Sequence, residues 1–322
     1  MEFKALFNIR YLLLQDIDPF ITPKFNITND TSKKDGLLDQ KFKSLSGMRS
    51  NQSFERNTIA YRVYREDHNS PAFISKMDRT FNDLTKQIRA FLTFLWFIKD
   101  NSISVEEAFG IFANEEKSKW WTDHTVYSTC DGKFRNTAFT SNEMAKAIDL
   151  LFAYVNICPE TADTKKSDFL GELTSASSHM GPGLDPYCQQ NRIERALTFL
   201  NTARSSPHLP QKITHYMSIL ECLFSADANE VVHKVSERTA YFVGENKADR
   251  ITIFKVIKGA YDVRSKFVHG QKIKQQPDPL RNISIKVDDI TRRVLTKIIL
   301  SEHVIFLEKD EHLAKYLNEI IF

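Results

Sequence analysis

With 322 residues the chain is longer than one average domain requires, and its 42% hydrophobic and 26% charged residues exclude a disordered or collagen-like protein. None of the four cysteines has a partner at CxxC spacing, so we expect neither a zinc finger nor a thioredoxin-like site. The N-terminal apolar stretch is interrupted by Arg10, and no apolar run is long enough to span a bilayer. We therefore expect a cytoplasmic protein without a membrane segment.

Residues 1–158 predict an α+β domain. Residues 7–14 and 58–64 are rich in β-forming side chains and predict strands, whereas the polar residues 28–53 between them predict a long loop. Apolar residues recur at steps of three and four from residue 74 to residue 99, which predicts a helix.

Further elements are predicted before the middle of the chain. Asp131-Gly132-Lys133 lies between two β-prone segments and predicts a hairpin, and Ser141 predicts the N-cap of a helix that ends at Cys158. The sequence of this domain contains no catalytic motif, so we expect it to sense a signal or to regulate. Residues 159–190 are rich in Gly and Pro and predict a linker.

Residues 191–322 have a purely helical pattern. The predicted helices are residues 192–204, 210–224, 229–243, 248–268, 287–306 and 311–321. Short loops between them favour an antiparallel bundle. The expected fold class is therefore mainly α, with an α+β domain ahead of a C-terminal helical bundle.

The C-terminal region is also the basic part of the chain. From Asn191 to Phe322 there are 21 Lys and Arg residues against 16 Asp and Glu, a net charge of +5, while the rest has a net charge of −2. Between Arg250 and Lys297 the numbers are 12 and 4. This distribution suits a polyanionic partner, although a solvated lysine-rich face would give the same numbers.

The predicted helix at residues 248–268 carries an arginine in its apolar stripe. Phe254, Ile257, Tyr261, Arg264 and Val268 follow one another at steps of three and four. A guanidinium on an apolar face is costly unless carboxylate, phosphate or carbonyl groups receive it. Either Arg264 extends to water or pairs with a buried acid such as Glu221, or it binds a ligand.

His269 follows Arg264 by five residues, which is about 140° around an ideal helix. Gly270 directly after it permits the helix to unwind, and His269 would then turn towards the face of Arg264. A histidine at a helix end can also simply cap the last carbonyl groups. An inward Arg, a His at the helix end and a Gly behind it favour a functional site.

The segment Tyr261-Asp-Val-Arg-Ser-Lys-Phe-Val-His-Gly270 resembles the signature of the HEPN superfamily, an Arg followed by four to six residues and a His. Two upstream segments, Lys212–Phe224 and Glu237–Val243, are similar to helices of the Apea-like HEPN branch, with Glu221 in a Leu-Glu position of the first. The resemblance covers about residues 191–322.

The resemblance implies a metal-independent endoribonuclease, often a toxin or antiviral effector, that acts as a homodimer in which two Arg/His pairs line one cleft. It needs no cofactor, because RNA supplies its own nucleophile, the 2′-hydroxyl. His269 would be the general acid and base, since an imidazole exchanges protons near neutral pH. Arg264 would stabilise the negative charge on the phosphorane. The expected products carry a 2′,3′-cyclic phosphate and a 5′-hydroxyl.

Other residues are assigned supporting roles. Ser265 stands where active family members tend to carry a polar residue, and Glu221 would orient Arg264 beside Tyr261. Lysines that could contact the RNA backbone, or be merely solvated, are Lys255, Lys258, Lys266, Lys272 and Lys274. Expected partners are RNA, including tRNA, a second copy of the chain, and a phage-derived trigger or an antitoxin. The alternative is a non-catalytic HEPN-like module that dimerises and binds nucleic acid or protein.

Overall fold

A computed structural model of the chain describes residues 2–66, 71–113, 118–157, 190–225, 231–273 and 276–321. These residues form two compact units. Unit 1 contains the described residues up to Tyr127 and residues 134–151, and unit 2 contains Ser128–Lys133, Phe152–Ile157 and the described residues from 190 onwards. The described residues are mainly helical with an α+β region at the N-terminal side, which confirms the predicted fold class at this level. The predicted linker at 159–190 lies outside the described residues except for Gln190.

The described residues of unit 1 contain an antiparallel sheet and a separate parallel pair of strands. Its strands are β1 (Glu2–Arg10), β2 (Leu12–Leu14), β3 (Phe20–Ile21), β4 (Asn26–Thr28), β5 (Thr58–Arg65), β6 (Ser104–Phe112), β7 (Ser118–Thr122) and β8 (Thr137–Phe139). Six of them follow the order β3-β4-β5-β1-β6-β7, and β2 pairs with β8 in parallel. Both predicted strand segments are confirmed, since they lie within β1, β2 and β5.

Helices cover the two faces of this sheet. The predicted helix at 74–99 is confirmed as α3 (Pro71–Ile98), and its Phe81 ring stacks on Phe7 of β1 with centroids 5.6 Å apart. On the other face Leu6 packs with Phe42 and Phe54. Because β1 is covered on both sides, its apolar residues are nearly continuous rather than alternating.

The predicted loop at residues 28–53 is wrong, because this segment contains α1 (Thr31–Leu37) and most of α2 (Gln40–Arg56). Aspartate side chains cap both helices: Asp30 accepts the N–H of Ser32 and Asp39 that of Phe42. The polar composition reflects the solvent side of these helices, whose few buried apolar residues are Leu37, Phe42 and Phe54. A left-handed Gly47, with φ 72°, kinks α2.

The predicted hairpin around Asp131-Gly132-Lys133 is also wrong, although the turn itself forms. Gly132 has φ 78°, and its N–H donates to the Thr129 carbonyl at 2.8 Å. The β-prone segment directly before the turn, residues 125–130, forms no strand, and β8 after the turn pairs with β2 instead. The next helix, α4 (Ser141–Ile157), is capped by Thr140 rather than Ser141, since the Thr140 hydroxyl accepts the Glu143 N–H.

Strand β7 lies at one edge of the sheet, and its outer side has no partner strand among the described residues. Lys119 in this strand points towards α3, where its Nζ is 3.2 Å from Asp78 Oδ1. Trp120, the next residue, is 64% exposed. This edge strand therefore carries a charged side chain that points towards α3 and an exposed aromatic ring next to it.

Unit 2 is a group of packed helices. Its helices are α5 (Arg192–Ser205), α6 (Leu209–Phe224), α7 (Val231–Val243), α8 (Lys247–Val268), α9 (Pro277–Lys297), α10 (His303–Leu307) and α11 (Asp310–Glu319), with a π-helical turn at Ile298–Glu302. The predicted helices are confirmed within a few residues, except that α9 begins ten residues before the predicted start. Pro277 and Pro279 occupy its first turn, where a missing N–H is harmless.

Aromatic rings fill the core of unit 2. Phe224, Phe242 and Phe306 contact one another, with centroids 5.3 to 6.0 Å apart. Gly244 follows α7 without a positive φ; glycine is needed there for space, since a Cβ would lie 2.4 Å from the Ala240 carbonyl oxygen. None of the described helices combines the length and the apolar character that crossing a membrane requires.

Candidate active site at the end of helix α8

Helix α8 positions the predicted site residues, but its buried stripe differs from the prediction at both ends. Ile257 and Tyr261 are buried as expected. Phe254 and Arg264 are half-buried, and Val268 is 57% exposed. The inward face of α8 therefore ends near Arg264, which places this side chain at the border between the core of unit 2 and solvent.

Arg264 is held by a carboxylate from a neighbouring helix. Its Nη2 donates to Glu221 Oε2 of α6 at 3.0 Å. The two side chains are 32% and 22% exposed, so the ion pair is partly shielded from water. The Arg264 Nε is buried and has no hydrogen-bond partner among the described residues. Glu221 is the acid predicted from the sequence to orient Arg264, and the structure brings the two together.

Glu221 is partly buried, and its surroundings raise the pKa of its carboxyl group. Burial raises the pKa of this carboxyl, and the nearby Arg264 and Tyr261 oppose that change only in part. Burial and then the negative charge of Glu221 raise the pKa of Tyr261 as well. The Tyr261 hydroxyl makes no hydrogen bond of normal geometry to any described residue. The Arg264 Nε without a described partner and the raised pKa values of Glu221 and Tyr261 are features that are common at functional sites.

Helix α8 ends at Val268, as the sequence predicted, and a Schellman motif terminates it. Gly270 has φ 66°, and its N–H donates to the Phe267 carbonyl at 3.2 Å. The N–H of Gln271 donates to the Lys266 carbonyl at 2.7 Å. These two bonds satisfy carbonyl groups that the helix end would otherwise leave free. The backbone on either side of His269 is therefore fixed.

The His269 side chain does not meet Arg264 within one chain. His269 is the C-cap residue, with φ −88° and ψ 9°, so the helix continues up to it. The unwinding that was predicted from Gly270 does not occur before His269. An ideal helix then leaves the two residues about 140° apart. The imidazole is exposed and makes no hydrogen bond, ion pair or ring contact with any residue that the structure describes.

The remaining predicted residues have different environments. Ser265 is exposed, and Lys266 forms an ion pair with Asp262 one turn earlier. Lys255, Lys258 and Lys272 are exposed, while Lys274 lies outside the described residues. As far as the described residues show, no group of three metal-ligating side chains includes Glu221.

Lys255 and Lys258 share a surface with residues that the sequence analysis did not single out. They line an open groove of 620 Å³ between α7 and α8, together with Tyr241, Lys247 and Arg250. We call this surface the α7–α8 groove. Because its residues come from two helices, periodicity within one helix could not reveal it; the excess of basic residues after Arg250 was the available signal.

No protein-family model matches the sequence, and no curated protein or solved structure is detectably similar to the chain.

Proposed function

We propose that the chain is a metal-independent endoribonuclease of the HEPN type, which works as a homodimer and serves as a toxin or antiviral effector in the cytoplasm. One observation carries the proposal: a partly exposed Arg264, paired with Glu221, precedes an exposed His269 on the same rigid helix end. The RNA target and the defence role rest on the resemblance of Arg264–His269 to the family signature.

The residue chemistry suits transfer within RNA. The 2′-oxygen attacks phosphorus, the bond from phosphorus to the 5′-oxygen breaks, and the products are a 2′,3′-cyclic phosphate and a 5′-hydroxyl. An imidazole takes the proton of the 2′-hydroxyl, and an imidazolium gives one to the 5′-oxygen. Arg264 contacts the non-bridging oxygens, and Glu221 keeps its guanidinium in place.

Two copies of the chain give this chemistry the groups that it needs. The reacting phosphate must lie between the guanidinium and the imidazole, so a gap between these side chains is required rather than a contact. Within one chain Arg264 and His269 point in different directions, and a second subunit supplies a second Arg/His pair. The two imidazoles can then act as base and acid.

A non-catalytic binding module is the second candidate, and one observation favours it. The imidazole of His269 has no partner among the described residues that would orient it or fix its tautomer. Catalytic histidines are commonly oriented by a second group. Under this alternative the Arg264–Glu221 pair stabilises the bundle and His269 is a solvated cap residue.

The His269→Ala variant separates the two candidates. Purified chain is incubated with labelled RNA in the presence of EDTA, and cleavage is followed by gel and by analysis of the RNA ends. We expect the variant to lose at least about 100-fold in cleavage rate, the contribution typical of acid–base catalysis. The matched control is His312→Ala, which removes another exposed histidine, on α11.

Cleavage that produces cyclic phosphate ends, and that is lost in His269→Ala but not in His312→Ala, supports the nuclease. A pure wild-type chain that leaves RNA intact as a dimer, or a His269→Ala variant that cleaves as fast as wild type, overturns it. A substrate with a single 2′-deoxy position at the cleavage site should resist cleavage there, because it lacks the nucleophile.

A further inference from the structure

The α7–α8 groove lies entirely within unit 2 and carries a strong charge imbalance. Lys247, Arg250, Lys255 and Lys258 line it from α8, and the acidic side chain that faces them is Glu237 of α7. Among the described residues that line the groove, four cations thus face one carboxylate, and the resulting positive potential within a concave surface attracts polyanions.

Arg250, which lines the groove, is held by two contacts. Its guanidinium lies over the Tyr241 ring at 4.7 Å from the centroid, and its Nε donates to the Gly244 carbonyl at 3.2 Å. A Cβ at Gly244 would come within 2.5 Å of Arg250 Cγ, so glycine at this position gives the arginine its room. The guanidinium plane is therefore held in one orientation.

An aromatic face lies further along the groove. Phe254 is half-buried, and the His233 ring meets it edge-on at 5.5 Å between centroids. The Lys258 ammonium lies 5.6 Å from the centre of the same ring. Ile251, one turn before, is 46% exposed. The groove thus places an aromatic ring among its cations, and phosphate binding alone would not need this ring.

The groove and His269 lie on one side of α8. Eleven residues separate Lys258 from His269, and an ideal helix turns these residues to within about 20° of the same face, roughly 16 Å further along its axis. Arg264, by contrast, lies about 120° around the helix from Lys258. A strand that follows the exposed face of α8 from the groove therefore arrives at the imidazole.

We propose that the α7–α8 groove binds an unpaired segment of RNA, with bases stacked on Phe254 and on the Arg250 guanidinium and with phosphates on Lys247, Lys255 and Lys258. The choice of RNA rests on the proposed function, whereas the need for unpaired bases follows from the groove itself. Rings in a duplex are stacked on each other and cannot reach Phe254. Alternating cations and aromatic faces are the usual equipment of single-strand binding surfaces.

Binding to a His269→Ala chain tests this without cleavage of the probe. The probe is a labelled oligouridylate of about 10 nucleotides, within the usual range of single-strand sites, and binding is followed by fluorescence anisotropy over a range of salt concentrations. We compare Lys255→Gln/Lys258→Gln with the control pair Lys286→Gln/Lys309→Gln, which are exposed lysines outside the groove. Phe254→Leu removes the ring and keeps apolar volume, and thermal unfolding of each variant verifies the fold.

The groove pair should weaken binding about tenfold and reduce the slope of log Kd against log salt by roughly 1.4, since each phosphate contact to a single strand contributes about 0.7. Phe254→Leu should weaken binding about fivefold with an unchanged slope, because stacking is not ionic. The control pair should change Kd by less than about twofold, as expected for charges outside the contact.

Equal effects of the groove pair and the control pair would overturn the proposal. So would full binding by Phe254→Leu, or equally tight binding of duplex RNA or of inorganic polyphosphate. The two proposals fail separately in this design. If the wild-type chain binds RNA through the groove but does not cleave it, only the nuclease proposal is rejected. If the chain cleaves RNA but the groove variants bind as tightly as wild type, only the groove proposal is rejected.

Discussion

Two inward-facing arginines on neighbouring helices of unit 2 have opposite surroundings. Arg238 of α7 is almost completely buried, and its donors go to the Phe224 carbonyl at 2.7 Å and to the Asn318 side chain at 3.2 Å. Arg264 of α8 is 32% exposed, pairs with the Glu221 carboxylate, and has a buried Nε with no partner among the described residues. Because these bonds lie within the buried part of unit 2, Arg238 stabilises the fold, whereas Arg264 at the solvent border can also receive a ligand.

The first way to test this comparison is Arg264→Lys, for which we expect the largest effect. Lysine keeps the charge and the pairing with Glu221, but it cannot present a planar fork to a phosphate. RNA cleavage should fall at least about 100-fold, while the free energy of unfolding should change by less than about 1 kcal/mol. The matched control is Arg281→Lys, since Arg281 also pairs with a carboxylate, that of Asp278. If Arg264→Lys cleaves RNA at the wild-type rate, the planar guanidinium of Arg264 has no role in cleavage.

For the free energy of unfolding we expect the opposite ranking, with a larger effect at Arg238 than at Arg264. Arg238→Met leaves the Phe224 carbonyl and Asn318 without their donors, and we expect a loss of about 2 to 3 kcal/mol in the free energy of unfolding. Arg264→Met should cost less, because its border position lets water reach Glu221. Urea unfolding followed by circular dichroism measures both. If Arg264→Met proves the more damaging of the two, Arg264 is mainly a structural residue.

The pH dependence of stability sharpens the comparison further. Burial raises the pKa of Glu221, and Arg264 opposes this rise, so Arg264→Met should raise that pKa again. The folded variant then holds this proton more tightly than the unfolded chain does. The stability cost is therefore largest above the raised pKa and disappears as the pH falls towards the unfolded value.

Urea unfolding at pH 7 and pH 5 follows this difference. The cost of Arg264→Met should be smaller at pH 5 than at pH 7, because protonation of Glu221 removes the buried charge that Arg264 compensates. The same variant made together with Glu221→Gln should lose the difference between the two pH values. A cost independent of pH in the single variant would mean that Glu221 is well solvated.

The smallest expected effect concerns the helix end that fixes His269. Gly270→Ala places a side chain at φ 66°, which should cost about 1 kcal/mol. Gly259→Ala in the middle of α8 is the control, because a Cβ there meets nothing within 4 Å, and it should stabilise the chain by about 0.5 to 1 kcal/mol. Thermal unfolding compares the two. Equal shifts in Tm would indicate that the helix end is not held in the left-handed conformation.

Helix α8 shows what local pattern can predict. Its limits, its termination at Gly270 and the pairing of Arg264 with Glu221 were all accessible, because they depend on periodicity, a glycine and the need of a buried cation for an acid. The direction of His269 was not, since one pair of backbone angles at the C-cap decides it.

Elements that depend on distant partners could not be predicted in the same way. The two helices at residues 31–56 bury few apolar side chains, and Phe42 and Phe54 become a pattern only when the sheet behind them is known. Strand β8 takes β2 as its partner, and a turn sequence such as Asp131-Gly132 contains no information about that choice. The α7–α8 groove likewise requires two helices to be placed side by side.

The exposed edge of β7 has a consequence for the behaviour of the protein at high concentration. An edge strand is a template on which strands of other molecules can add, the first step towards insoluble aggregates. Lys119 points inwards beside Asp78, so a molecule that extends the sheet there would have to bury an ammonium group. Loss of the charge at Lys119 should therefore lower the solubility of the purified protein, because the exposed Trp120 beside it favours association.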